Sequence, residues 1–109
     1  MKNGLKIDAL GTKYWYLNDE LHRVDGPAIE YANGGKSWYL NGKRHREDGP
    51  SIEYANGHKY WHLNDELHRV DGPSIEYADG DKYWYYHGTN IKVSSQEEFL
   101  RILRLKAFW

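Results

Sequence analysis

The chain has no cysteine among its 109 residues, which excludes a disulfide framework and favours an intracellular, cytoplasmic setting. It also lacks any apolar run long enough to act as a signal peptide or to span a bilayer, so a soluble protein is expected. No sign of charge dominates. Fifteen basic and sixteen acidic side chains leave a formal net charge of -1, which argues against a sequence-specific nucleic-acid binder and against a DNA mimic. Phenylalanine, methionine and proline are scarce too, and one domain with one core is all this length supports. What remains to build that core is unusual: five Trp and ten Tyr in an otherwise hydrophilic chain.

Those aromatics recur with a fixed period. Gly11, Gly34, Gly57 and Gly80 stand 23 residues apart, in step with Trp15, Trp38, Trp61 and Trp84. His22 to Asn33, His45 to Asn56 and His68 to Asp79 repeat a His-Arg-x-Asp-Gly-Pro half-unit that ends in Ile-Glu-Tyr-Ala-Asn/Asp. Each unit carries two turn signals. One set is Asn33-Gly34, Asn56-Gly57 and Asp79-Gly80; the other is Asn18-Asp19, Asn41-Gly42 and Asn64-Asp65. The segments between are rich in β-branched and aromatic residues, so they read as strands. The expected fold is therefore mainly β: tandem 23-residue β-hairpin repeats in an extended antiparallel sheet.

Treating Asn56-Gly57 as a two-residue loop sets Ile52 opposite Trp61 and Glu53 opposite Tyr60, and gathers Ile52, Tyr54, Trp61 and Leu63 on one apolar face. The same reasoning through Asn41-Gly42 sets Leu40 against Lys43 and Trp38 against His45. Pro27, Pro50 and Pro73 must interrupt the ladder, since proline has no amide to donate. They mark corners between units. After Tyr86 the motif is lost, and Ser94 or Ser95 with Glu97 or Glu98 forms a capping box before a helix in which Phe99, Ile102, Leu103 and Ala107 recur. The boundaries are an N-terminal cap strand at 1–10, units at 11–33, 34–56, 57–79 and a partial 80–87, and a loop with a capping helix at 88–109.

The run Leu40-Asn41-Gly42-Lys43-Arg44-His45, followed by Gly49 and Tyr54-Ala55-Asn56-Gly57, resembles the MORN repeat family. Residues 11–87 carry it as a variant, because Arg46-Glu47-Asp48 precede Gly49 and Pro50 follows. The chain is also similar to phage-associated proteins built from Trp-Tyr-x-Asn-Gly-Lys-x-His-Arg-x-Asp-Gly-Pro units. That resemblance implies a small protein made in the cytoplasm of an infected bacterial cell.

Function is expected to be binding without catalysis. A residue present at the same place in every unit belongs to the scaffold more readily than to an active site, which occurs once. Trp15, Trp38, Trp61, Trp84, His22, His45 and His68 are accordingly read as structural, and no catalytic residue, metal or cofactor is assigned. Arg23, Arg46 and Arg69 can pair with Glu30, Glu53 and Glu76 or with the corner aspartates. They are also candidate binding residues together with Lys43, Arg44, Tyr16, Tyr39 and Tyr85, because Trp, Tyr and Arg dominate binding hot spots. The partner is expected to be a host (defence) protein that the chain inhibits; the alternative is a small nucleotide-like anion held by the arginines. A structural or membrane-associated scaffold is the third reading. A homodimer that packs uncovered Trp faces, or pairs open sheet edges, is the expected assembly.

Overall fold

A computed structural model describes residues Met1–Lys106, so Ala107 and the two residues after it lie outside the described residues. The architecture is mainly β with one C-terminal helix. β1 (Gly4–Ile7) precedes unit one, which holds β2 (Lys13–Leu17), β3 (Glu20–Leu21) and β4 (Ile29–Glu30). Unit two contributes β5 (Lys36–Ser37), β6 (Tyr39–Leu40), β7 (Lys43–Arg44) and β8 (Ile52–Glu53). Unit three repeats this as β9 (Lys59–Tyr60), β10 (His62–Leu63), β11 (Glu66–Leu67) and β12 (Ile75–Glu76). β13 (Lys82–Tyr86), β14 (Thr89–Ile91) and α1 (Gln96–Lys106) complete the chain.

The main sheet runs β1-β2-β4-β5-β8-β9-β12-β13-β14, with every neighbour antiparallel. β3 branches from β2, and β6–β7 and β10–β11 are two-stranded ribbons beside it. These hairpins form a second row, joined from unit to unit by backbone bonds such as Gly42 N to Leu21 O (2.9 Å), Asp65 N to Arg44 O (2.8 Å) and Gly88 N to Leu67 O (2.8 Å). The result is a single-layer plate, 48 × 31 × 18 Å.

The two turn types differ, and the difference sets which side chains share a face. In the hairpins of the second row both central residues have positive φ, as at Asn41 (51°) and Gly42 (78°), the geometry of a type I′ turn. The expected pairing of Leu40 with Lys43 follows, and His45 N donates to Trp38 O at 3.1 Å. The other set closes through three residues instead of two. Gly57 N bonds to Tyr54 O and Tyr54 N to His58 O, only Gly57 of the loop has positive φ (98°), and Asn56 Oδ1 accepts from His58 N. This is a turn followed by a glycine bulge. The pairing is therefore Ile52 with Tyr60 and Glu53 with Lys59, one residue away from the two-residue reading, and a slip of one exchanges the faces. Ile52 and Tyr54 face the same way as Tyr60, while Trp61 and Leu63 lie on the opposite side.

Hairpin geometry also continues past residue 87. His87 (φ 45°) and Gly88 (82°) make a fourth turn of the I′ kind, which pairs Tyr86 with Thr89 and Trp84 with Ile91. Ile91 takes the place of the repeat histidine. The motif is lost there because the corner residues serve only where another unit follows. At the amino end the same economy applies: Asp19 N bonds to Lys2 O, Lys2 N to the Asp19 carboxylate, and Asn18 N to Asn3 Oδ1. Lys2-Asn3 thus reproduces the edge that Arg44-His45 offers Asn64-Asp65, where Asp65 N meets Arg44 O and Asn64 N meets His45 Nδ1.

Ser95 caps α1, its Oγ accepting from Glu98 N at 3.1 Å, and Phe99 is fully buried beneath the helix. Gln96 fastens the helix to the plate: its Oε1 accepts from Trp84 Nε1 at 2.8 Å and its Nε2 donates to Val70 O at 2.7 Å. Among the described residues no helix is long and apolar enough to cross a membrane. Gln96→Ala should lower stability by about 1–2 kcal/mol, because it leaves the buried Trp84 N–H without its acceptor. Thermal melts check the loss, and hydrogen exchange should place it in α1.

Candidate functional site: a stapled tryptophan face and an open tyrosine face

On one side of the sheet, paired residues alternate in charge along the ladder: Lys13, Glu30, Lys36, Glu53, Lys59, Glu76, Lys82. The tryptophans share this side, and each of the first three is covered by its own unit's arginine. The Arg46 guanidinium carbon sits 3.8 Å from the Trp38 ring centre. Its Nε donates to Asp48 (3.1 Å), and its Nη1 donates to both Pro50 O (3.1 Å) and Glu53 (3.0 Å). Arg23 over Trp15 and Arg69 over Trp61 repeat the set with Asp25, Pro27 and Glu30 and with Asp71, Pro73 and Glu76. Both expected pairings of the arginine column are made at once. The glycine of the corner leaves room for this, since a Cβ on Gly49 would stand 2.7 Å from the Arg46 guanidinium carbon.

The indoles do not form an open apolar face, which removes the reason for a dimer built on uncovered tryptophans. Each half-buried ring has a planar cation on it, an arrangement that stabilises by about 0.5–2 kcal/mol and that lysine cannot reproduce. Trp84, in the unit without an arginine, is buried and bonded to Gln96 instead.

The repeat histidines hold units together. Nδ1 of His22, His45 and His68 accepts the backbone N–H of Asn41, Asn64 and His87 in the next unit, each at 2.9 Å. Within unit three, His58 Nδ1 accepts from Ala78 N at 2.8 Å. Each contact needs the nitrogen unprotonated. Burial, with His87 beside it, pushes His68 below the ordinary histidine range. His62 is buried, with Nδ1 2.6 Å from the fully buried Ser51 Oγ; burial first and Arg44 second push it down to about 4. Arg44 itself is engaged. Its Nε donates to Asp65 at 2.6 Å, a bond that holds that carboxyl below its usual range, whereas Lys43 is exposed.

The other side of the sheet carries Tyr14, Ile29, Ser37, Ile52, Tyr60, Ile75 and Tyr83 in one ladder. Tyr54, Tyr60, Tyr77 and Tyr83 meet edge to face, with successive ring centres 5.6, 6.1 and 5.7 Å apart. Tyr31, Tyr54 and Tyr83 are 40%, 49% and 43% exposed. Tyr16, Tyr39 and Tyr85, chosen from the sequence, sit in the second row and are half-buried. The prominent rings were missed because the two-residue loop turned Tyr54 toward the tryptophans and separated it from Tyr60; a bulged Asn-Gly loop would have revealed the row.

No protein-family model and no curated protein sequence matches the chain.

Arg46→Lys should cost about 1–3 kcal/mol in a denaturant titration, since one ammonium replaces neither the stacked plane nor the fork. Acid should destabilise the fold as well. With His62 and His68 depressed when folded, the unfolded chain binds more protons, so their contribution is complete above pH 6.5 and fades as pH falls, for His62 toward about 4. Melting at pH 7 and 4.5 should differ more for the native chain than for His62→Tyr, which installs the residue found at Tyr16, Tyr39 and Tyr85.

Proposed function

We propose that the chain is a non-enzymatic repeat module that binds a protein through its tyrosine face. The phage resemblance makes the partner a host protein whose activity the module blocks. The observation that carries this reading is the exposed row of Tyr31, Tyr54 and Tyr83, which no other element of the described chain covers. Tyrosine presents a large rigid surface and a hydroxyl at little conformational cost, the combination on which recognition surfaces rely. A plate 48 × 31 Å across offers more than the roughly 800 Å² that each partner contributes to a standard interface. A nucleotide-like anion on the arginine column is less well served, because Arg23, Arg46 and Arg69 each already contact two carboxylates.

The test is co-purification from a bacterial host followed by native mass spectrometry. A stoichiometric protein adduct should be present with the native chain and lost from Tyr54→Ala and Tyr83→Ala, while their melting temperatures stay within a few degrees, as expected of surface changes worth about 0.5–1 kcal/mol. An adduct that survives both substitutions but disappears with Lys43→Ala would move the interface elsewhere. A phosphorylated small mass released on denaturation would support the anion instead.

A further inference from the structure

The tryptophan side carries two clefts that no part of the proposed tyrosine interface uses. One, about 550 Å³, has Trp38, Leu40 and His45 as its floor and Asp25, Glu47 and Asp48 among its walls. The second, about 380 Å³, has Trp61, Leu63 and His68 as its floor and Glu47, Asp48 and Asp71 among its walls. Every floor residue of the second lies 23 positions after its counterpart in the first, so the two are the same cleft one unit apart.

The electrostatics of the clefts have a definite sign. Two arginines line each cleft, Arg23 and Arg46 in the first and Arg46 and Arg69 in the second, against three lining carboxylates, and each arginine is already shared between a ladder glutamate behind it and a corner aspartate at the rim. Glu47 has only a 3.8 Å approach to His45. The rim carboxylates are between 82% and 89% exposed, and no lysine lines either cleft. An apolar floor beneath an anionic rim suits a side chain with a hydrocarbon stem and a cationic head.

Spacing narrows the ligand further. Successive units lie two strands apart, about 9.6 Å from the strand separation of about 4.8 Å. A polyproline II helix returns to the same face every three residues, about 9.3 Å at 3.1 Å per residue. An extended β-segment has no such match, because its third residue points to the opposite side.

We propose that the paired clefts bind an extended, polyproline II-like segment bearing lysine or arginine at every third residue, one cationic side chain in each cleft. Each stem lies along a leucine and the part of the half-buried indole that its arginine leaves exposed, and each head reaches the rim carboxylates. Asp48 and Glu47, which belong to both clefts, carry the largest share of the attraction. This surface is on the opposite side of the sheet from the tyrosine row, and neither reading depends on the other.

The test uses the full chain and synthetic peptides at low salt, followed by tryptophan fluorescence. A peptide of three Lys-Pro-Pro triplets should bind about fivefold tighter than one of equal charge with Lys-Pro-Pro-Pro spacing, and should weaken steeply as salt rises. Glu47→Gln and Asp48→Asn should each weaken binding by about threefold or more, whereas Glu97→Gln on the helix should change nothing. Glu47→Gln keeps the arginine staples, so its effect is free of any loss of fold. Equal affinity for both spacings, an equal response to Glu47→Gln and Glu97→Gln, or no binding at low salt would overturn the proposal. Tyr54→Ala should leave the peptide affinity unchanged, which separates failure here from failure of the tyrosine interface.

Discussion

A single-layer sheet has no second layer to bury against, and the guanidinium laid across the indole of each of the first three units is what lets this one stand. Arg23, Arg46 and Arg69 each close a tryptophan, a corner carbonyl and two carboxylates into one contact. The unit supplies its own lid. Other features serve that contact: glycine at the corner because a Cβ would collide with the arginine, a proline whose fixed φ holds the corner where its carbonyl receives the guanidinium, and a glutamate on the ladder that accepts from the same nitrogen. Apart from Phe99 of the helix, the fully buried side chains among the described residues are correspondingly few and small: Ala28, Ser51 and Ser74, directly after the prolines. Most of the apolar surface is only half withdrawn from water.

With so thin a core, the joints between units depend on directed bonds. Each joint of the second row combines a backbone pair with an imidazole nitrogen, and the first joint substitutes the Asn3 amide for the imidazole. The joint between units two and three differs: Arg44 and Asp65 replace the Leu21–Gly42 and Leu67–Gly88 combinations of its neighbours and make an ion pair. This accounts for much of the divergence of unit two. Its basic run is in part a joint, with Lys43 alone left exposed and Arg46 engaged in a staple.

The sequence made the repeat, the corners and the capping helix legible because each depends on local chemistry: a period, a proline, a serine three residues before a glutamate. The pairing of tryptophan with histidine was legible as well, since Asn41-Gly42 admits the two positive φ angles of a tight hairpin. The faces of the main ladder were not. Asn-Gly serves both a two-residue turn and a bulged three-residue loop, and the choice is decided by whether asparagine or only glycine takes the positive φ. That one residue of register moved Tyr54 and Ile52 away from the tryptophans. It left the sequence pointing to Tyr16, Tyr39 and Tyr85, which the second row half-buries.

What a repeat scaffold leaves unused is where its recognition can reside. The arginines, corner glycines, prolines and repeat histidines are all engaged in closing or joining units, and a ligand that captured them would compete with the fold. The tyrosine row and the rim carboxylates are different. The rings touch one another edge to face while Tyr54 and Tyr83 keep close to half their surface open, and the corner aspartates give one oxygen to the staple while the rest of the carboxylate faces solvent. Both recur at the unit period, so a partner engages them as rows, and its own repeat has to match the strand spacing before the contacts add. A sheet one layer thick thus displays two periodic surfaces of opposite chemistry, aromatic and near-neutral on one side, notched and acidic at the rim on the other.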